Sequence, residues 1–454
     1  MQNQKNIFGT DGIRGRVGTA PISVDWMLKL GWAIGITLAQ HENSKVLIGK
    51  DTRISGYMFE SALEAGLVSV GVDTYLIGCP MPTPGIAYLT RTLQADVGIV
   101  ISASHNLYYD NGLKFFSREG LKFSDSMELA VEQKLLSNLT TVKSVHIGRT
   151  TRVGDASGRY IEFCKSTFPQ QYDLRGLKIV IDCANGAAYH IAPSVFQELG
   201  AEVIALNVLP NGLNINQSCG STSPEILAEN VVESRADLGI ALDGDGDRAI
   251  FVDHKGVIVD GDVLLFIIAK WYQNSGRLKG GVVGTLMSNL GLERAMNDLK
   301  IPFFRTKVGD KYVLEGLKKQ SCNLGGEPSG HILCLDAHTT GDGIISALKV
   351  LAALCFYGCS LYDMRRKMIK YPQILKNVPV LTREPILINQ HIQIAIKQAE
   401  RRLNGEGRVL LRASGTEPVI RIMVAGQDQF MIEQIAYDLE KTVVKYFQPI
   451  PSCF

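Results

Sequence analysis

The chain has 454 residues, too many for one ordinary core, and length alone predicts three or four domains. Hydrophobic residues make up 46% and charged residues 20%, the balance of a globular protein, and a net charge of +2 argues against a general nucleic-acid or membrane-surface binder. The polar start, Met1 to Asn6, lacks the apolar core of a secretory signal. The longest apolar runs, Val263 to Ala269 and Val350 to Tyr357, fall far short of a membrane span. Nine cysteines without a C-x-x-C predict a reduced, cytoplasmic protein, with Cys183, Cys334 and Cys355 as buried thiols.

In chain order, 45–51 is predicted as a strand, 56–70 as a helix, and 72–77 and 97–101 as strands. The pattern returns with strand 177–183, helix 188–199 and strands 202–206 and 238–242. A third pass has strand 282–284, helix 290–299 and strand 303–305. Strands alternating with helices imply parallel α/β sheets covered on both faces. The last eighty or so residues differ, with helices near 392–403 and 431–446 and strands 408–412 and 419–424. The predicted fold class is therefore α/β: three consecutive mixed α/β domains of related topology (1–150, 151–255, 256–370) followed by a small C-terminal α+β domain (371–454).

Two of these strands share a lead-in. Ala95 to Ile101 reads A-D-V-G-I-V-I and Ala236 to Leu242 reads A-D-L-G-I-A-L, so one structural unit occurs twice. The first runs into Ser102-Ala103-Ser104-His105-Asn106. Ser104 should lie at the carboxyl end of its strand, where open α/β sheets bind ligands. A turn role is the plain alternative, and the absence of a G-x-S-x-G elbow argues against a conventional hydrolase. The second runs into Asp243-Gly244-Asp245-Gly246-Asp247-Arg248. Period-two spacing puts Asp243, Asp245 and Asp247 on one side of an extended loop, and the glycines let the backbone fold around an ion. Oxygen-only ligands select a hard cation, Mg²⁺ first. An EF-hand is excluded, because its sixth position would be Arg248 and its twelfth His254. Arg248 suits an anion beside the metal.

Three further stretches carry chemistry. In Gly325 to His331, Glu327 and Ser329 offer groups suited to sugar hydroxyls, while His331 alone reads as structural. Arg412-Ala413-Ser414-Gly415-Thr416-Glu417-Pro418, followed by Arg421, gathers two guanidinium groups, two hydroxyls and a glycine into a phosphate cradle. An ordinary turn would explain Ser414 and Gly415 but not the arginines. Phe8 to Gly15 is a glycine-punctuated loop presenting Arg14, placed for transition-state charge stabilisation.

These five motifs, F-G-T-D-G-I-R-G, S-A-S-H-N, D-G-D-G-D-R, G-E-x-S-G-H and R-A-S-G-T-E-P, resemble in their order the α-D-phosphohexomutase superfamily, across almost the whole chain. The resemblance implies four domains around a central cleft, and an isomerase that moves phosphate between two positions of one hexose. The first motif and Tyr108 to Phe116 point to glucosamine 6-phosphate and glucosamine 1-phosphate, on the way to UDP-N-acetylglucosamine and peptidoglycan. Mannose or glucose phosphates are the alternative substrates. By the same resemblance, Ser104 carries the transferable phosphoryl group in the activated form, and Mg²⁺ sits between it and Asp243, Asp245 and Asp247. Glu327 and Ser329 read sugar hydroxyls. Arg412, Ser414, Gly415, Thr416 and Arg421 hold the non-reacting phosphate. Lys114 and Arg14 assist proton transfer and charge stabilisation, joined by His331. Expected partners are small sugar phosphates, with no nucleic acid or membrane; a homodimer is left open. Two residues depart from the family pattern. Leu107 replaces the usual proline, and Pro328 stands where Gln or Met is usual, which bears on sugar selection. A serine-nucleophile phosphatase and a non-catalytic sugar-phosphate sensor are the competing functions.

Overall fold

The computed structural model describes residues 7–9, 11–38, 44–380, 389–413 and 419–447. It divides into two units, one running to Thr285 and resuming over Phe304–Arg366, the other comprising Leu286–Phe303 and the chain from Lys367. The fold is three mixed α/β sheets in succession, followed by a small α+β domain.

The first sheet is built from β1 (Ile13–Arg16), β2 (Lys45–Lys50), β3 (Asp73–Ile77), β4 (Val97–Ile101), β5 (Asp110–Ser117) and β6 (Thr150–Val153), in the order β1-β5-β4-β2-β3-β6. Helices α1 (Val24–Leu38), α2 (Ser55–Val68), α3 (Thr83–Thr92) and α4 (Asp125–Leu135) accompany it. The second combines α5 (Ala156–Ser166), β7 (Lys178–Asp182), α6 (Ile191–Glu198), β8 (Glu202–Leu206), α7 (Glu225–Glu233), β9 (Leu238–Leu242), β10 (Ala249–Asp253) and β11 (Ile258–Val259), in the order β11-β10-β9-β7-β8. After α8 (Gly261–Asn274), the third sheet takes β12 (Val282–Thr285), β13 (Phe303–Thr306), β14 (Leu324–Gly326) and β15 (Ile332–Cys334), in the order β13-β12-β14-β15. Its chain also contains α9 (Leu290–Asp298), which belongs to the second unit, α10 (Asp310–Gln320), α11 (Gly343–Tyr357) and α12 (Leu361–Arg365). The long apolar runs noted in the sequence lie in α8 and α11. Among the described residues no helix is long and apolar enough to cross a membrane.

The shared lead-in has one structural meaning in both places. Asp96 Oδ2 accepts the Lys45 N–H at 2.9 Å while the Asp96 N–H donates to Lys45 O at 2.9 Å. Asp237 repeats this against Lys178 at 2.8 and 2.9 Å. Each aspartate therefore caps the start of the neighbouring parallel strand, which pins the pairing of β4 on β2 and of β9 on β7. A third, looser copy, not recognised in the sequence, has Asn323 before its strand, but its Oδ1 accepts the Lys279 N–H at 2.9 Å, two residues before the position in register, where the Gly281 N–H donates to Cys322 Sγ. The amide keeps the acceptor and drops the charge. In all three copies the lead-in follows a residue in left-handed conformation, Gln94, Arg235 or Ser321, that ends the preceding helical segment.

The glycine of the lead-in lets a helix lie close on its strand. A Cβ at Gly239 would come 2.6 Å from Val231 Cγ2 and 2.9 Å from Leu227. Gly239→Ala is therefore expected to lose about 1–3 kcal/mol by overpacking. Chemical denaturation checks this, and an unchanged midpoint would refute the close-packing reading.

Parallel sheets are expected from the helix–strand alternation; the sheets are mixed. β4 continues into β5 through residues 102–109, β9 into β10 through 243–248, and β14 into β15 through 327–331. Connections this short cannot cross over, so each strand returns antiparallel. The three conspicuous motifs are these three loops. β1 then pairs antiparallel with β5, setting Arg14 opposite Gly112.

The C-terminal domain has β16 (Gln373–Pro379), α13 (Gln390–Leu403), β17 (Gly407–Ala413), β18 (Val419–Gly426) and α14 (Gln429–Phe447). Its sheet is antiparallel, in the order β16-β18-β17, over a core that includes Ile392, Leu403, Ile420, Ile422, Ile435 and Leu439. Cys183 and Cys334 are buried as expected, but Cys355, near the end of α11, is only half-buried.

Candidate active site

Ser104 is buried at the tip of the β4–β5 loop in left-handed conformation, φ +52°, which a non-glycine residue holds only when its surroundings impose it. Its N–H donates to Ser102 Oγ at 2.9 Å, and Ser102 Oγ donates to Asp51 Oδ2. Its carbonyl accepts Asn216 Nδ2 at 2.8 Å and Arg53 Nη2 at 3.3 Å. The same two side chains grip the carbonyl of Asn106, Asn216 at 2.9 Å. Arg53 is fully buried and also ion-paired with Asp51. Leu107, standing where the family usually has proline, therefore does not leave the loop unsupported. The Ser104 hydroxyl points at the second loop, donating to Asp243 Oδ2 at 2.6 Å, with His105 Nδ1 at 3.4 Å. Burial, then Arg248 and Arg14, hold the His105 pKa down to about 4, so this imidazole is neutral.

Asp243, Asp245 and Asp247 are all buried, and each offers an oxygen within 4.8 Å of the others. Asp243 Oδ1 accepts the N–H groups of Asp247 and Arg248 at 3.1 and 3.2 Å. Asp245 Oδ2 accepts Thr83 Oγ1 at 2.5 Å and Lys114 Nζ at 2.8 Å; Asp247 Oδ2 accepts Lys114 Nζ at 2.8 Å. The other oxygens, Asp245 Oδ1 and Asp247 Oδ1, are buried and have no hydrogen-bond partner among the described residues. Burial, then the neighbouring Asp247 and Asp245, raises the Asp243 pKa well above the usual carboxylate range. Three crowded carboxylates with two orphaned oxygens are what a hard divalent cation requires.

The cations come from flanking strands. Lys114 on β5 is buried, with Asp11 Oδ2 at 3.4 Å in addition to Asp245 and Asp247. Burial opposes its charge, but the three carboxylates outweigh that and raise its pKa well above the ordinary lysine value. Arg14 pairs with Asp11, which also binds Lys122, and Lys122 continues to Asp310. Arg248 lies with its Nε 3.7 Å from Asp247 Oδ1. His331 is buried between Asp247, 3.6 Å from Nδ1, and Asp310, 3.8 Å from Nε2. Burial disfavours its charge, yet Asp247, Asp310 and Glu327 together raise its pKa.

In the third loop, Glu327 is buried and accepts the Gly309 N–H at 2.8 Å. Ser329 Oγ is buried without a partner among the described residues. In the second unit, Arg412 on β17 stands directly opposite Arg421 on β18. Burial and then Arg421 lower the Arg412 pKa, the signature of two cations sharing one face. Ser414, Gly415 and Thr416 lie outside the described residues.

Ser104, the three aspartates, Lys114, Arg14, Arg248 and His331 are thus brought together from three loops and two strands. Sequence reasoning missed Arg53, Asn216, Thr83 and Asp310. Arg53 carries a faint signal, since Asp51-Thr52-Arg53 follows a predicted strand end; the others carry none.

A chain with this fold and these loops falls among the sugar-phosphate mutases. Residues 5–141, 158–256 and 260–371 match, in turn, the α/β/α domains I, II and III of phosphoglucomutase/phosphomannomutase, and 375–442 match its C-terminal domain. The chain belongs to the phosphoglucomutase/phosphomannomutase family. Among its relatives, the phosphoglucosamine mutase of Nitrosococcus oceani is 58% identical, covering 97% of each chain. That of Legionella pneumophila strain Corby is 55% identical over 99% of this chain and 100% of its own. Solved structures share the fold at lower identity. A family protein from Burkholderia thailandensis is 21% identical with a TM-score of 0.81, covering 97% of this chain and 98% of its own. Aspergillus fumigatus N-acetylphosphoglucosamine mutase, solved with GlcNAc-6P and magnesium, is 17% identical with a TM-score of 0.66, covering 96% and 95%.

Proposed function

We propose that the protein acts as a phosphoglucosamine mutase, interconverting glucosamine 6-phosphate and glucosamine 1-phosphate through a phosphorylated Ser104 and a 1,6-bisphosphate. The observation that carries this reading is the hydroxyl of Ser104 set 2.6 Å from Asp243 inside a buried carboxylate triad. Relatives named for this reaction, 55–58% identical over nearly the whole chain, supply the substrate.

Asp243, Asp245 and Asp247 would hold Mg²⁺, and Asp245 Oδ1 and Asp247 Oδ1 have no hydrogen-bond partner among the described residues that would compete for it. When bound, the ion would neutralise charge on the phosphoryl group in transfer. In the forward direction the sugar C1 hydroxyl attacks phosphorylated Ser104, the Ser104 O–P bond breaks, and the hydroxyl proton passes to a neighbouring base. Arg14, Arg248 and Lys114 supply fixed positive charge around the transferred group. Because Arg53 and Asn216 clamp Ser104 from its carbonyl side, the serine stays put and the sugar must turn. After turning, the 6-phosphoryl group passes to Ser104, leaving glucosamine 1-phosphate. Glu327 and Ser329 would bind hydroxyls in both orientations, with His331 beside them. The product would feed UDP-N-acetylglucosamine and peptidoglycan synthesis in the cytoplasm.

Arg412, Ser414, Gly415, Thr416 and Arg421 would hold the phosphate that is not reacting. Like charges directly opposite on neighbouring strands repel, and an anion between Arg412 and Arg421 would relieve that repulsion. Arg412→Ala is therefore expected to raise KM about tenfold or more for both monophosphates, from the loss of one charge-assisted contact. It should also release the bisphosphate into solution, detectable by quench-flow. Wild-type KM values with no released bisphosphate would show the cradle misassigned.

Pro328 keeps mannose or glucose phosphate as the second reading, since it departs from the family beside Glu327. Steady-state kinetics with glucosamine, mannose and glucose phosphates in parallel decide: the first should have the highest kcat/KM, and a higher value for either of the others would replace it.

A further inference from the structure

Thr83 has no place in the chemistry above, yet it is buried against the metal loop. It is the first residue of α3, one position past the N-cap. Here no side chain caps the helix, whose N-cap is Pro82. The hydroxyl instead leaves the helix and donates to Asp245 Oδ2 at 2.5 Å, while the Thr83 N–H donates to Asp245 O at 2.9 Å. One residue of the first sheet's helix layer thus grips side chain and backbone of one aspartate in the second sheet's loop. Pro82 completes the grip: a Cβ on Gly246 would lie 3.2 Å from its Cβ.

The grip decides which oxygen of Asp245 is available. With Thr83 and Lys114 both on Oδ2, that oxygen is held in place and Asp245 Oδ1 is left buried with no hydrogen-bond partner among the described residues, whereas Asp247 Oδ1 faces Arg248 and His331 at 3.7 and 3.6 Å. A carboxylate free to rotate would lose entropy on binding a cation; one held in place has already lost it.

We propose that Thr83 is a positioning residue for the divalent cation, orienting Asp245 so that Oδ1 faces the ion, and that it sets metal affinity without touching sugar or phosphate. This rests on the reading of the triad as a metal site, and calorimetric titration of Mg²⁺ and Mn²⁺ into metal-free full-length protein separates the two. Thr83→Val keeps the shape and removes the donor; it should weaken binding about 10- to 100-fold. Thr83→Ser keeps the donor and should bind close to wild type. Kinetically, Thr83→Val should need more metal for activation, with sugar KM unchanged and kcat recovered at saturating metal. Wild-type affinity in Thr83→Val, or equal weakening in Thr83→Ser, would overturn the proposal. Failure of the wild type to bind metal would instead refute the triad. Should Thr83→Val not fold, Thr83→Ala takes its place; misfolding of both while Thr83→Ser folds would assign the hydroxyl to stability and overturn the proposal as well.

Discussion

Ser104→Ala is expected to abolish turnover, by at least about 10⁴-fold, while leaving the fold in place. The backbone conformation at this position already carries the strain of a side chain at φ +52°, and alanine adds none. The contacts that hold the loop are made by the backbone of residue 104 and by Ser102, Arg53 and Asn216, all of which the variant keeps. What disappears is the hydroxyl, and with it the hydrogen bond to Asp243, a loss of about 1–3 kcal/mol that the two N–H groups on the other oxygen soften. Intact-mass measurement of active wild-type protein should show one added phosphate, absent from the variant. Substantial turnover by Ser104→Ala would end the covalent reading.

The second large effect is expected at the aspartates, where activity and stability should fall together. Replacing Asp245 or Asp247 with Asn keeps the shape but removes charge from a site with two orphaned oxygens. Metal affinity should fall at least tenfold and kcat about 10²- to 10³-fold. In the metal-free protein, however, three buried carboxylates repel one another, and this repulsion is part of what holds the Asp243 pKa up. Removing one charge relieves part of it but also takes a partner from buried Lys114. Burial opposes the Asp247 charge, yet Lys114, His331 and Arg248 hold its pKa well below the usual range, so the metal-free variants should melt lower than the wild type. Added Mg²⁺ should stabilise the wild type more than the variants, because binding to the folded state alone raises its stability. Scanning calorimetry with and without Mg²⁺ reads both effects. Equal stabilisation of wild type and variants would remove the cation from the triad, as would full wild-type activity after chelation.

Much of the fold could be read from local pattern. Buried strands such as Val97–Ile101 and Leu238–Leu242 are short apolar runs with clear ends, and they lie where expected. Helix α1 was not legible, because glycines such as Gly31 and Gly35 are weak helix formers. In the fold they let α1 lie against α2, where a side chain at Gly31 would strike the backbone of Leu63. The third copy of the lead-in stayed hidden because Cys322-Asn323 replaces Ala-Asp, and its side-chain oxygen ties down the neighbouring chain two residues earlier than in the other two. At the site, residues carried by motifs were visible, whereas their supports were not. Asn216 reaches Ser104 across 112 positions and Thr83 reaches Asp245 across 162, so no spacing rule connects them. Polar groups that recognise backbone carbonyls leave no pattern, because any donor at the right place serves.

The central claim, that phosphate moves between two ends of one amino sugar instead of being released, is tested most directly by a phosphorus NMR time course. Purified protein would be incubated with glucosamine 6-phosphate, Mg²⁺ and a trace of the 1,6-bisphosphate. The account predicts a growing resonance of glucosamine 1-phosphate at the expense of the 6-phosphate, with no inorganic phosphate, and loss of the reaction in Ser104→Ala. Accumulation of inorganic phosphate without the 1-phosphate would make the protein a phosphatase and contradict the account.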